Sequence, residues 1–203
     1  MKNVVLTGIG GQGTVLAAKI LAQAAQARGW HVRTAETIGM AQRGGSVTSH
    51  VRMGDGGETV ASPLVPTGSA DMLIAFEPGE AARVLPLLSP EGVLITASSV
   101  KQPVSASLSK IVYAAQPIIE ALQKREGRTI VVDEQPLLKL VGNAKALNIV
   151  LLTVAVCQTN AQGEPLLGIT VDELKEAIAA CVKPKFVDMN LAAVDAVRKQ
   201  LNL

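Results

Sequence analysis

Apolar positions along this chain come in two alternating patterns, short aliphatic runs and longer stretches with helical spacing. "NVVLT" at 3–7 is a continuous run that predicts a buried first strand. Residues 14–28 predict a helix, closed by Gly29 in the left-handed conformation that helix ends favour. Six alanines in that helix (Ala17, Ala18, Ala22, Ala24, Ala25, Ala27) let its axis lie close to a sheet. "HVRTAE" (31–36) predicts a second strand, "DMLIAF" (71–76) a third of the same kind, then a helix over 78–89 and a strand at 92–97. A polar linker opens 98–128 and gives way to a helix after Pro117; "TIVVD" (129–133) is another strand. Helices over 137–158, 170–180 and 188–201 close the chain.

One segment breaks the alternation. "SVTSHVRM" (46–53) and "ETVAS" (58–62) flank "GDGG", and Asp-Gly supports tight turns, so the pair predicts an inserted β-hairpin. The expected architecture is an α/β, Rossmann-like fold with a mainly parallel sheet, helices on both faces and that hairpin. Without repeats, low-complexity tracts or a linker between cores, residues 1–203 predict a single domain.

Composition narrows the chemistry. Phe, Tyr and Trp total four residues, so Val, Leu, Ile and Ala must build the interior. The net charge of +2 is spread without a basic block, which argues against a nucleic-acid partner. Cys157 and Cys181 are the only cysteines; they cannot supply the four thiolates of a cubane cluster, nor a disulfide framework, and a reducing cytoplasm is expected. The longest apolar run, 149–157, is about half of what a membrane span needs, so no membrane role is expected. Mean hydropathy of +0.33 is high for a soluble chain. Small aliphatics account for part of it, and the rest is either core or apolar surface that a partner subunit covers.

The candidate chemistry lies in two glycine-rich stretches. In "LTGIGGQGTVLAAK", Gly8, Gly10 and Gly13 have the spacing of a dinucleotide-binding turn, with Gly11 and Gln12 between them. Such a turn brings ligand close to the backbone and aims free helix N–H groups at an anion. Glu36 offers the acid that a ribose would need, though later than usual, and it runs directly into the next motif. A dinucleotide, another phosphate ligand and plain strand–helix packing all remain open for this turn. In the second stretch, "GMAQRGGSVTSH", Met40 and Arg43 precede Gly44, Gly45 and Ser46. Strand alternation puts Ser46, Thr48, His50 and Arg52 on one face and Val47, Ser49, Val51 and Met53 on the other. That polar face either meets solvent or lines an anion-handling cleft. Arg43 either holds an anion or fixes the hairpin by an internal salt bridge.

"GIGGQGTVLAAKILAQAA", "GMAQRGGSVTSHVR", "VGNAKALNIVLL" and "KPKFVDMNLAAVDAV" together resemble the gamma subunit, or gamma domain, of 2-oxoacid:ferredoxin oxidoreductases. "GMAQRGG" is most similar to the small beta subunit of the indolepyruvate type, in which His often stands where this chain has Ile38. The resemblance implies an enzyme that oxidatively decarboxylates a 2-oxoacid to an acyl-CoA. Thiamine diphosphate, Mg and 4Fe–4S clusters would sit on a large partner subunit, which passes electrons to ferredoxin. It implies that this chain alone binds no cofactor, has no catalytic residue of its own and is inactive in isolation. "GDG" at 54–56 also opens the thiamine diphosphate motif, but no Asn occurs between Asn3 and Asn143 to complete one. Gly8, Gly10, Gly11, Gln12, Gly13, Met40, Arg43, Gly44, Gly45 and Ser46 are then expected to face an anion at the subunit junction. That anion would be a phosphate of coenzyme A or a carboxylate of the partner. The competing expectations are a freestanding NAD(P)- or nucleotide-binding oxidoreductase and a nucleotide-sensing scaffold.

Overall fold

A computed structural model describes residues 1–39, 44–102 and 113–203. In chain order its elements are β1 (Lys2–Ile9), α1 (Thr14–Ala27), β2 (His31–Ile38), β3 (Ser46–Gly54), β4 (Ala70–Ala75) and α2 (Pro78–Val84). There follow β5 (Leu88–Ala97), α3 (Ala115–Gln123), β6 (Thr129–Val132), α4 (Glu134–Val141), α5 (Leu147–Val156), α6 (Val171–Cys181) and α7 (Val187–Leu201). The six strands form one sheet in the order β2-β3-β1-β4-β5-β6. β1, β4, β5 and β6 pair in parallel, whereas β3 runs antiparallel to both its neighbours.

The α/β architecture is as expected, but the antiparallel insertion is built differently. Residues 58–62 form no strand. β3 instead pairs with β2 from Ile38↔Val47 to His31↔Gly54, and with β1 from Ile9↔Ser46 to Lys2↔Met53. The physical reason lies in the β3 side chains. His50 Nδ1 accepts from the Val65 N–H (3.2 Å), and Arg52 donates to the Ser62 and Leu64 carbonyls. These bonds lay the 59–65 segment across the face of β3 rather than along its edge, and β2 takes the edge. His50 is therefore a structural histidine, and burial pushes its pKa down.

Pleat alternation splits the core. Val4, Leu6, Val51, Met72, Ile74 and Ile95 face α1, α5, α6 and α7. Val5, Leu73, Ala75 and Leu94 face α2 and α3. α5 is buried on nearly every side because sheet and outer helices enclose it, which explains the long apolar run. The single helix expected over 137–158 is two helices, since Gly142 ends α4 in the left-handed conformation at φ +70°. Gly29 closes α1 as expected, at φ +77°. α6 begins with a capping box in which Thr170 and Glu173 exchange hydrogen bonds. Among the described residues, no helix is long and apolar enough to cross a membrane.

Candidate functional site

Parallel strands deliver β1, β4, β5 and β6 with their carboxyl ends on one edge, where ligand crevices of such sheets lie. The glycine turn sits there, between β1 and α1, and its shape follows from one side chain. Gln12 Oε1 accepts from the Ile9 N–H (2.7 Å), and Gln12 Nε2 donates to the Phe76 carbonyl (2.9 Å) at the end of β4. Phe76 N–H in turn donates to the Thr7 carbonyl (2.8 Å). Gln12 thus buckles the turn to the neighbouring strand. Gly8 must be glycine because an added Cβ would stand 2.8 Å from both Gln12 Oε1 and Phe76 Cβ. Gly11 and Gly13 take positive φ, +100° and +86°, and no side chain caps the first N–H groups of α1.

The two glycine-rich stretches lie side by side. Gly10 N–H donates to the Gly45 carbonyl (2.8 Å), and Gly39 N–H donates to the Ser46 carbonyl (2.8 Å). Gly44 takes φ +82°. Met40 and Arg43 lie outside the described residues. The Ser46 hydroxyl is bonded to the Glu80 carboxylate, itself paired with Arg83, so this one of the residues expected to face an anion meets a negative charge instead.

Three crevices surround the turn. One of about 610 Å³ runs between the turn and the α4–α5 connection, lined by Gly11, Gln12, Lys101, Glu134, Lys139, Asn143 and Lys145. A second, about 470 Å³, lies over the first turn of α1 with Gly10, Gly13, Thr14, Leu16 and Lys19. The third, about 420 Å³, continues from Leu16 and Lys145 to Asn148, Val182, Lys183, Phe186 and Met189. Most of these residues escaped the sequence reading because they lie far apart in the chain. Two quoted segments did carry some of them: "VGNAKALN" bears Asn143, Lys145 and Asn148, and "KPKFVDMN" bears Lys183, Phe186 and Met189.

Besides Glu80, two more buried carboxylates flank the edge. Glu134 accepts from Ser98 N–H (2.9 Å) and from the Ser98 hydroxyl (3.1 Å). Burial alone would raise its pKa, but hydrogen bonds from Ser99, Ser98 and Gln135 outweigh it, and the net shift is downward. Glu77 caps α2 by accepting from Glu80 N–H (2.8 Å), and there burial prevails and pushes the pKa up.

The "GDG" turn does not fit thiamine diphosphate chemistry. Asp55 pairs with the Met1 ammonium at the opposite, amino edge of the sheet, and an added Cβ at Gly54 would collide with the Glu58 carbonyl. Among the described residues, no three His, Cys, Asp or Glu side chains converge as a metal site.

The strand order separates this turn from a dinucleotide site. An NAD site puts the ribose-binding acid at the end of the strand beside β1. Here that neighbour is β3, so Glu36 on β2 is two strands away, about 10 Å.

Residues 3–200 match the family pyruvate ferredoxin/flavodoxin oxidoreductase. The chain belongs to that family. Among its relatives, indolepyruvate oxidoreductase subunit IorB of Pyrococcus horikoshii is 37% identical over 99% of this chain and 98% of its own. IorB of Archaeoglobus fulgidus is 37% identical over 95% of this chain and 91% of its own. The fold of this pyruvate ferredoxin/flavodoxin oxidoreductase chain is also that of solved structures. The gamma subunit of a keto/oxoacid ferredoxin oxidoreductase from Geobacter sulfurreducens superposes with a TM-score of 0.69 at 21% identity, covering all of both chains. A 2-oxoglutarate:ferredoxin oxidoreductase from Magnetococcus marinus superposes with a TM-score of 0.67 at 17% identity; 99% of this chain matches 31% of that one.

Proposed function

We propose that this chain is the accessory, gamma-type subunit of a 2-oxoacid:ferredoxin oxidoreductase whose substrate is an aryl pyruvate such as indolepyruvate. The observation that carries the reading is the near-complete alignment with IorB at 37% identity. In this reading the large partner subunit holds thiamine diphosphate, Mg and the iron–sulfur clusters and hands electrons to ferredoxin. Decarboxylation and electron transfer are the chemistry those cofactors supply. This chain supplies an edge, rigidly shaped by the Gln12 buckle, that faces the junction and works only in the assembly. The assembly is a cytoplasmic one.

The glycine turn with Gly44 and Gly45 holds an anion there, either a phosphate of coenzyme A or a partner carboxylate. The N–H groups at the start of α1, which no side chain caps, and the Gly10–Gly45 hydrogen bond support this placement. Arg43 adds a permanent planar charge to the same loop. Arg43→Ala should leave the melting temperature of the isolated chain unchanged while raising the KM of the assembled enzyme for coenzyme A or weakening assembly. The reverse pattern makes Arg43 a structural salt-bridge partner. The NAD(P) reading is disfavoured by β3, which stands between the glycine turn and Glu36.

Capture of the tagged chain from native extract tests the subunit assignment. The bound material should include a larger polypeptide with brown iron–sulfur absorbance, iron, and thiamine diphosphate released on denaturation. Recovery of the chain alone, or with colourless partners free of thiamine diphosphate, refutes it.

A further inference from the structure

The crevices around the glycine turn are lined by several lysines and almost no acid. Lys19, Lys101, Lys139, Lys145 and Lys183 line them, and among the described residues none of the five is in an ion pair. The one acid among the lining residues is Glu134, whose carboxylate is buried and already hydrogen-bonded by Ser98 and Gln135.

The third crevice adds apolar surface to this charge. Phe186 and Met189 line it and remain 42% and 38% exposed, large values for such side chains. Lys185 rests its ammonium 4.9 Å from the Phe186 ring, which positions that ring without covering it. Three amides complete the wall. Asn143 and Asn190 are engaged with Met189 Sδ and the Phe186 carbonyl. Asn148 differs: it is 95% buried by its residue exposure of 5%, packs against Gly13, lines the groove, and makes no side-chain hydrogen bond among the described residues. Its amide atoms are not among the enclosed polar atoms left without a partner, so water reaches them from the groove and an incoming hydrogen-bonding group can take that water's place.

We propose that this groove, from Leu16 to Met189, docks a segment of the large partner subunit that places an apolar anchor beside an acidic side chain. The proposal rests on the subunit assignment above. The apolar anchor seats against Phe186 and Met189, the acid meets Lys145 and Lys183, and Asn148 bonds a backbone amide of the segment with its paired donor and acceptor. Charge complementarity selects an acidic segment, and the apolar floor selects a polypeptide anchor over a free inorganic anion. The docked segment borders the glycine turn, because Leu16 is shared between this groove and the crevice over the start of α1.

The test uses the complex co-expressed from both subunits and measures its dissociation constant on dilution. Phe186→Asp and Lys183→Glu, both on exposed positions, should each weaken assembly at least tenfold without shifting the melting temperature of the isolated chain. Asn148→Ala should weaken assembly several-fold, again with little change in melting temperature, because the amide has no internal partner to lose. Leu64→Asp, exposed on the opposite face of the sheet beside Val65, is the comparison and should assemble normally. Groove variants that assemble with wild-type affinity overturn the proposal, as does disruption by Leu64→Asp alone. Asn148→Ala that lowers the melting temperature and spares assembly makes that amide structural and removes it from the interface. If the wild-type chain fails to assemble with any such partner, the subunit assignment itself is wrong.

Discussion

Gln12 is where a single amide decides the shape of the candidate site, and the consequence of removing it can be worked out. Gln12→Ala deletes two hydrogen bonds, from Ile9 N–H and to the Phe76 carbonyl. Each contributes roughly 0.5–1.5 kcal/mol net, and the half-buried position lets water replace part of the loss, for a total of about 2 kcal/mol. For a chain of this size that corresponds to a fall in melting temperature of roughly 4–8 °C. Gly8→Ala should cost at least as much, since the new Cβ would lie 2.8 Å from both Gln12 Oε1 and Phe76 Cβ. The part of that cost that runs through Gln12 is shared between the two variants, and the clash with Phe76 is not. In the double variant the cost should be clearly less than the sum of the single ones. Gln12→Glu sharpens the test: the carboxylate keeps the acceptor for Ile9 but faces the Phe76 carbonyl with a like partial charge. It should be destabilised at neutral pH and recover in acid, where the protonated group can donate. Thermal denaturation followed by circular dichroism reads all four proteins. Strict additivity, or a Gln12→Ala melting temperature within a degree of wild type, refutes the buckle.

Glu77 should give a pH signature. Burial raises its pKa above the ordinary glutamate range, so the folded state keeps the proton longer than the unfolded chain. Its stabilising contribution is full below the unfolded pKa and is lost as pH rises through the elevated folded value. Glu77→Gln keeps a cap acceptor and should melt at or above wild type at neutral pH, with a flatter pH profile; a parallel profile refutes this. Gly13→Ala forces an L side chain to φ +86° and within 3.1 Å of Asn148, which should cost about 1–3 kcal/mol, and an unchanged melting temperature contradicts it. NAD(H) should bind no better than millimolar because β3 displaces Glu36 from the turn; calorimetry giving a low-micromolar constant would revive the dinucleotide reading.

The parts of this molecule set by local pattern were legible in the sequence. The first strand, the alanine-rich α1, its Gly29 stop and the glycine turn all follow from periodicity and backbone freedom within a few residues. The break at Gly142 was legible in principle, since a glycine followed by Asn143 is an ordinary helix stop, but the apolar run on either side concealed it. Strand order was not legible. The choice of β2 rather than residues 58–62 as the partner of β3 depends on His50 and Arg52 meeting carbonyl and N–H groups of a segment with no strand pattern of its own. In the sequence Gln12 is only a residue between the glycines of a dinucleotide-like turn, yet its hydrogen bond reaches 64 residues along the chain to Phe76. The basic face was invisible for a similar reason: five lysines spread from residue 19 to residue 183 form no block until the fold gathers them. Arg43 and Met40, central to the expected anion site, fall outside the described residues.

The central claim is that this chain serves catalysis only as part of a larger enzyme. Dye-linked oxidation of indolepyruvate, followed anaerobically with a viologen and coenzyme A, tests it most directly. The purified chain should show no turnover, the large subunit alone little, and the reconstituted pair a rate that saturates as the two reach stoichiometric ratio. Turnover by the purified chain, or a large subunit whose rate is the same with and without it, would contradict the account.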